Sequence, residues 1–547
     1  MSTIEHYPLD QIRKGDPGFS SFRATIETFF YGNRVETVPT RERAYQLAKN
    51  SPGAIKTDLP VYAPEKLGLP PEATVLVFND GGIVGRTALA RRLTAELPKH
   101  EIKDFEKILR EAVYQSARKD YYKTAVYVGL DKEFTVKAHL ALPHGYENDL
   151  YSYVLNFQIP NAEWEEIYQA SKAYDAGDLF LYADPDWSHP DFPDGLALFD
   201  VEHNCAAILG LRYFGELKKG TLTLAWALAH RNGYIACHGG MKQYRFPDKK
   251  YTMAVFGLSG SGKSTVTLAQ ETNQEVKILH DDAFVIDQTS GATTALEPAY
   301  FDKTQDYPMT SDAIKYFLTC QNVGVTLDTA GRKVLVTEDI RNGNGRTVKS
   351  QFVTPNRVHH LKEKVDAVYW IMKDESLPPI VKVEDPNLAA IFGLTLATKR
   401  STAENLSANI DINSLVIEPF ANPFRAYPLT EDYADFKRLF AEQQTDCYIL
   451  NTGYFNQTKI PKETTLGAIQ KVIDGAEWKT FPHFPDLKYF AESAFEPPFD
   501  SAEYQKMFQQ SLRYRLAFVR KYNLEHEENP LPPEIAQALE KMVQTLV

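Results

Sequence analysis

Residues Gly257-Leu258-Ser259-Gly260-Ser261-Gly262-Lys263-Ser264 form a complete G-x-x-x-x-G-K-S motif. That motif constrains its surroundings strongly, because it works only where a strand ends in a glycine turn that runs into a helix. Both flanks comply. Thr252-Met253-Ala254-Val255-Phe256 is an apolar, β-prone run, and Ser264-Thr265-Val266-Thr267-Leu268-Ala269-Gln270 is compatible with a helix. The glycines let backbone N–H groups converge on phosphate oxygens, and a helix N-terminus adds a favourable dipole. Lys263 is placed to reach β- and γ-phosphates, and the Ser264 hydroxyl to ligate Mg²⁺. A chance glycine turn would not bring strand, loop and helix together. The stretch therefore predicts a site for a phosphorylated nucleotide.

The chain has 547 residues, more than the roughly 250–300 at which a single core stops growing, so two or more domains are expected. Hydrophobic residues make up 43% and charged residues 24%, a globular composition rather than a disordered one. A net charge of −12 without a long basic run gives a nucleic-acid role no electrostatic support. It does not oppose nucleotide binding, since a phosphate site is local and needs few cations. Cys205, Cys237, Cys320 and Cys447 are far apart and form no C-x-x-C pair. They argue against a zinc ribbon or a disulfide framework and fit a reducing cytosol. The first residues show no basic segment followed by an apolar one, so no signal peptide is expected. No run approaches about 18 uninterrupted apolar residues, so no membrane span is expected either. The expectation is a cytoplasmic protein.

Along the chain, residues 41–49 and 104–118 have helical spacing, while 73–78, 124–128, 135–142 and 151–159 read as extended apolar segments. Asn79-Asp80-Gly81-Gly82 is a turn signal. Beyond the phosphate loop, 277–279, 285–287, 334–337, 367–371 and 447–451 read as strands, and 502–522 and 533–546 as helices. Proline-bearing stretches at 377–379 and 481–485 read as surface connections. The fold class is α/β. A mixed α/β N-terminal domain is assigned to 1–233, and a strand-rich, phosphate-loop domain to 234–547.

Three further segments carry suggestive chemistry. His280-Asp281-Asp282 follows the short strand after the loop, where a carboxylate is placed to meet a nucleotide-bound cation. Tyr213-Phe214-Gly215-Glu216-Leu217-Lys218-Lys219-Gly220 pairs two lysines, and Ile235-Ala236-Cys237-His238 ends a strand in histidine. Taken singly, these read as a surface turn, a solvated face and a structural histidine. Beside a phosphate loop, the metal role of Asp282 is favoured.

Together the segments resemble the ATP-dependent phosphoenolpyruvate carboxykinase family. Its pattern runs Tyr-x-Gly-Glu-Met-Lys-Lys-Gly, a strand ending in Met-His, Gly-Leu-Ser-Gly-Thr-Gly-Lys-Thr-Thr, and Gly-Asp-Asp. The matches here are Tyr213 to Gly220, Cys237-His238, Gly257 to Thr265, and Asp281-Asp282, in the same order. Gly85-Arg86-Thr87, Lys303, Asn344-Gly345-Arg346, Leu377-Pro378-Pro379 and Asn451-Thr452-Gly453 add weaker likenesses.

The resemblance implies a two-domain carboxykinase-like fold and the reaction oxaloacetate + ATP → phosphoenolpyruvate + CO₂ + ADP. By it, Lys219, His238 and Asp282 hold Mn²⁺, and Ser264 holds Mg²⁺ with the nucleotide phosphates. Lysine ligates only as the neutral amine, a form the neighbouring Lys218 cation favours. Lys218 and Lys263 neutralise the transferring phosphoryl group, Arg346 meets it from the substrate side, and Arg86 and Tyr213 position the dicarboxylate. Lys303 joins the nucleotide-binding set with Gly257 through Thr265. The implied partners are small molecules, and the implied assembly is a monomer or small homo-oligomer.

Several stretches depart from the pattern: Ser401-Thr402-Ala403-Glu404-Asn405 matches only loosely, the region near residues 135–142 lacks a family arginine, and two runs that follow matched segments differ. Thr347-Val348-Lys349 follows Arg346, and Tyr454-Phe455-Asn456-Gln457-Thr458-Lys459 replaces a glycine-rich stretch that helps hold the base. The readings that compete are a kinase of the same fold acting on another small carboxylate or a protein hydroxyl, and a nucleotide-binding regulator without turnover.

Overall fold

The computed structural model describes residues 20–80, 90–258, 260–269, 275–338, 345–399, 415–490 and 494–546. The chain forms two units. One takes the described residues up to Asn232 together with Thr294–His360; the other takes Gly233–Thr293 and the described residues from Leu361 onward. The chain thus returns to its first unit after leaving it, which the single boundary at 233/234 does not express. The return is made by strand pairing. Ala299–Lys303, Arg346–Ser350 and Thr319–Gln321 complete a five-stranded sheet with Thr74–Phe78 and Ile55–Pro60.

The first unit also holds a seven-stranded sheet in the order Val35–Thr37, Tyr121–Asp131, Phe134–Pro143, Leu179–Asp184, Cys205–Leu209, Leu196–Asp200, Arg91–Leu93. Leu179–Asp184, Leu196–Asp200 and Cys205–Leu209 are buried along their whole length, so they read as continuous rather than alternating apolar runs. Helices Ser21–Phe29 and Ile102–Ser116 pack Phe22, Phe29, Phe105 and Leu109 against Phe180, Tyr182 and Leu198 of this sheet.

One expectation fails here. The apolar run from Tyr151 belongs to a helix, Glu147–Asn156, all ten of whose residues are buried. A helix buried on every face, with Glu147, Asn148, Asp149, Ser152 and Asn156 buried beside its apolar residues, shows no 3.6-residue stripe, so periodicity cannot separate it from a buried strand.

The second unit is built on an eight-stranded sheet in the order Glu275–His280, Gly240–Arg245, Lys250–Phe256, Ala367–Met372, Asp446–Asn451, Ile380–Val383, Phe484–Tyr489, Lys479–Phe481. Lys250–Phe256, Ala367–Met372 and Asp446–Asn451 run parallel. Their carboxyl ends therefore share one edge, the side on which open α/β sheets bind ligands. On one face, Met253, Val255, Tyr369, Ile371 and Tyr448 pack with Ala468 and Ile469 of the helix Lys462–Ile473. The stretch 481–485 is a tight antiparallel turn with Pro482, His483 and Pro485 exposed, a short surface connection, whereas Leu377–Pro379 is buried and is not one. Among the described residues no helix is long and apolar enough to cross a membrane.

Candidate phosphate and metal site

The phosphate loop leaves the central strand at Phe256 and enters a helix at Lys263–Leu268. Ser259 lies outside the described residues. Gly260 and Gly262 have φ of 80° and 101°, left-handed torsions that a side chain would strain. The Ser261 N–H donates to the Leu258 carbonyl at 3.0 Å, and Val266 N–H to Gly262 at 3.0 Å. Neighbouring strand ends brace the loop. The Thr452 hydroxyl donates to the Ser261 carbonyl at 2.8 Å, and Lys373 Nζ lies 3.4 Å from the Gly260 carbonyl. Lys263 is buried, whereas Ser264 and Thr265 are exposed, so their hydroxyls are accessible to a ligand. The buried Ser261 hydroxyl makes no hydrogen bond among the described residues. The helix stops at Leu268, short of the stretch to Gln270 that the sequence allows.

Asp282 sits beside this loop. Strand Glu275–His280 runs antiparallel to Gly240–Arg245, and the Asp282 carbonyl accepts the Gly239 N–H at 3.1 Å. That pairing returns Asp282 to the end of the His238 segment. Its Oδ1 lies 3.0 Å from His238 Nε2 and 3.5 Å from Lys263 Nζ. On the other side of the imidazole, His238 Nδ1 lies 2.6 Å from the Ala421 carbonyl. A carbonyl only accepts, so Nδ1 carries the proton and Nε2 is directed at the carboxylate. The ring also meets Phe424 edge to face, with centroids 5.3 Å apart.

In the neutral ring two electron-pair donors thus face each other, an arrangement that a proton on Nε2 or a shared cation resolves. Ligands bonded at about 2.1 Å and at right angles lie about 3 Å apart, which is the His238–Asp282 separation. A mixed imidazole and carboxylate pair suits a divalent first-row ion, and the Ala421 carbonyl supplies the outer contact that orients a ligating histidine. The residues fit a metal. Among the described residues no three His, Cys, Asp or Glu side chains gather as a metal site. The further ligand that the family resemblance implies is Lys219. Lys219 belongs to the first unit, with its Nζ 5.7 Å from the Trp226 ring centroid.

The first unit gathers the remaining candidates. Tyr213 precedes the helix Phe214–Arg231 and is buried. A Cβ at Gly215 would stand 2.1 Å from Cε1 of the Tyr213 ring, so only glycine lets the ring fold over the first turn. Burial pushes the Tyr213 phenol up to about 12, against the pull of the hydrogen-bonded Arg346. Arg346 is itself buried, with Nη1 2.9 Å from the Gly345 carbonyl. It stands directly opposite Lys303 across an antiparallel pair. Like charges so opposed cost stability unless an anion is near; the exposed Asp306 interacts with both, and a phosphate would as well.

Lys218 is 1% exposed and lies 2.9 Å from Glu297, which also accepts from Asn156 Nδ2 at 2.5 Å. Glu297 escaped the sequence reading, where its one signal is a lone acid in the apolar run Ala295-Leu296-Glu297-Pro298-Ala299-Tyr300. Arg86 and Asn344 lie outside the described residues.

Several curated relatives carry the name phosphoenolpyruvate carboxykinase (ATP). The chain is 24% identical over 310 residues to a phosphoenolpyruvate carboxykinase (ATP) of Aeropyrum pernix, covering 54% of this chain and 61% of that protein. It is 26% identical over 220 residues to one of Dictyostelium discoideum, covering 38% and 36%. It is 22% identical over 408 residues to one of Eremothecium gossypii, covering 69% and 70%. The chain thus spans about six-tenths of the first of these and about a third of the second. A family model described as phosphoenolpyruvate carboxykinase matches residues 95–491, a span that takes in Tyr213, Lys218, Lys219, His238, the phosphate loop, Asp282, Lys303 and Arg346. The chain belongs to the phosphoenolpyruvate carboxykinase family.

Proposed function

We propose that the protein catalyses oxaloacetate + ATP → phosphoenolpyruvate + CO₂ + ADP. The observation that carries this reading is the convergence of His238 Nε2, Asp282 Oδ1 and Lys263 Nζ within 3.0 and 3.5 Å at the phosphate-loop edge, in a chain of this family. In that reaction the bond to the departing carboxylate leaves its electron pair on an enolate. The enolate oxygen attacks the γ-phosphorus, and the β–γ bridging oxygen departs with ADP.

Each residue has a task in this scheme. The loop N–H groups and Lys263 bind the β- and γ-phosphates, and Lys303 adds a cation to the nucleotide side. Asp282, His238 and Lys219 hold Mn²⁺, and Ser264 holds Mg²⁺. When bound, these ions supply Lewis-acid stabilisation of developing negative charge. Arg346 and Lys218 stabilise charge on the transferring phosphoryl group, while Tyr213 and Arg86 orient the dicarboxylate. The same reading assigns the protein to the cytoplasm, where its free cysteines persist reduced, as a monomer or small homo-oligomer.

The test is phosphoenolpyruvate formation from ATP, Mn²⁺ and oxaloacetate. The wild type should form it, and Asp282→Asn should lower kcat by about 10²–10³, the usual loss when one preorganised charge-stabilising group is removed. ATP consumed on another acceptor with no phosphoenolpyruvate, or full turnover by Asp282→Asn, would sink the reading.

A further inference from the structure

His280 stands where the family pattern quoted above has the glycine of Gly-Asp-Asp, and no task has been assigned to it. It is fully buried at the end of strand Glu275–His280, opposite Met241. Its Nδ1 lies 3.0 Å from the backbone N of Asp282 and 2.9 Å from that of Ala283. A backbone N–H only donates, so Nδ1 carries no proton and accepts from both. The pattern is that of an Asx turn, in which a side-chain oxygen accepts from N–H groups two and three residues on. Glycine offers no such acceptor.

The clamped residues are the ones whose path matters. The turn that His280 closes delivers the Asp282 carbonyl to Gly239 N–H at 3.1 Å, and the Asp282 carboxylate to His238 Nε2 and Lys263 Nζ. Asp282 is the middle residue of the three-residue link between strands Glu275–His280 and Phe284–Asp287.

We propose that His280 is a positioning residue, whose Nδ1 clamps the turn at 281–283 and presets Asp282 as a ligand for a divalent cation. The identity of that cation as Mn²⁺ rests on the proposed function. A histidine that merely filled the core would be indifferent to which of its atoms accepts the two N–H groups. The clamp requires the acceptor at the Nδ1 position.

That difference sets the experiment. His280→Asn puts an amide oxygen near the place of Nδ1, His280→Gln carries it one bond further, and His280→Gly removes it. Two measurements are made on the full chain without nucleotide: Mn²⁺ affinity from the electron paramagnetic resonance of the free ion, and deuterium exchange at the Asp282 and Ala283 amides in the metal-free protein. Loss of an outer contact weakens a metal site about 10–100-fold, so His280→Gln and His280→Gly should fall by that factor and His280→Asn by no more than about threefold. The two amides should stay protected in the wild type and His280→Asn only. His280→Gln binding as tightly as the wild type, or His280→Asn as weakly as His280→Gly, overturns the clamp. A wild type that binds no Mn²⁺ overturns the metal reading, and the exchange data then decide the clamp alone. Protection lost in His280→Gly and kept in His280→Asn supports it; equal protection in all variants overturns it.

Discussion

The pair Asp374–Arg515 offers the sharpest quantitative test of the second unit. Arg515 projects from the long helix Ala502–Glu525 to Asp374, just beyond the strand Ala367–Met372 whose next residue, Lys373, reaches the phosphate loop. Nη2 and Oδ2 are 2.8 Å apart, and the two side chains are 1% and 3% exposed. The partners are unequally supplied. Asp374 also accepts from Ser376 N at 3.1 Å, Ser376 Oγ at 2.7 Å and Ser511 Oγ at 2.5 Å. Arg515 otherwise donates from Nη1 to the Thr395 carbonyl and, at 3.4 Å, to its hydroxyl, and from Nη2 to the Met372 sulfur at 3.5 Å, all neutral acceptors, while its Nε makes no hydrogen bond among the described residues.

Asp374→Asn therefore leaves a buried guanidinium without its counter-charge, at a cost of about 3–5 kcal/mol. Arg515→Met leaves a carboxylate that keeps three donors, so the loss is nearer that of one charged hydrogen bond, about 2–3 kcal/mol. The double variant removes both charges and should be more stable than Asp374→Asn, with a coupling energy of about 3 kcal/mol, or roughly a hundredfold in the unfolding constant. Urea unfolding of the four proteins, followed by circular dichroism, measures this. Asp374→Asn within about 1 kcal/mol of wild type, where surface substitutions fall, or a double variant less stable than Asp374→Asn, would refute the reasoning.

The pH dependence has a definite sign. Burial pushes the Asp374 carboxyl up, but Arg515, the serine hydroxyls and the Ser376 N–H outweigh it and hold it below the usual carboxylate range. A depressed folded value contributes stability above the unfolded value and loses it as pH falls through the folded one. The wild-type advantage over Asp374→Asn should accordingly be complete at neutral pH and shrink below about pH 4.

Two further outcomes follow from side-chain environments. Gly215→Ala forces the Tyr213 ring away from a Cβ at 2.1 Å, costing about 1–3 kcal/mol by overpacking against a helix-propensity gain of at most about 1 kcal/mol. On the proposed function, KM for the dicarboxylate rises while KM for ATP does not, and steady-state kinetics with both unchanged would contradict the assignment of Tyr213. Cys205, Cys237, Cys320 and Cys447 are all free and buried, and burial pushes each thiol up, Cys320 to about 12. A thiol reagent at pH 8 should find no reactive cysteine in the native protein and four after denaturation; reaction of a native thiol would contradict the packing.

Where the pattern was local, the elements were legible. Helices Arg41–Asn50 and Ile102–Ser116, and the strands Tyr121–Asp131, Phe134–Pro143 and Ala367–Met372, lie within a few residues of their sequence expectations. The helix Glu147–Asn156 was not legible, because burial on every side erased its period. Nor was the return of Thr294–His360 to the first unit, since it depends on which distant strands pair, and pairing leaves no mark within a short window.

The candidate site divides along the same line. The phosphate loop was determined by the sequence itself: eight consecutive residues supply the turn torsions, the converging N–H groups and the cation, and no distant residue is needed to recognise them. His238 and Asp282 could be named as separate candidates, but only the tertiary structure brings Nε2 and Oδ1 to 3.0 Å, turns the imidazole with the Ala421 carbonyl and closes the Asp282 turn with His280. The same holds for Glu297 against Lys218. Backbone chemistry is written in adjacent residues, whereas a site assembled from strand ends and loops depends on register and packing across the whole sheet.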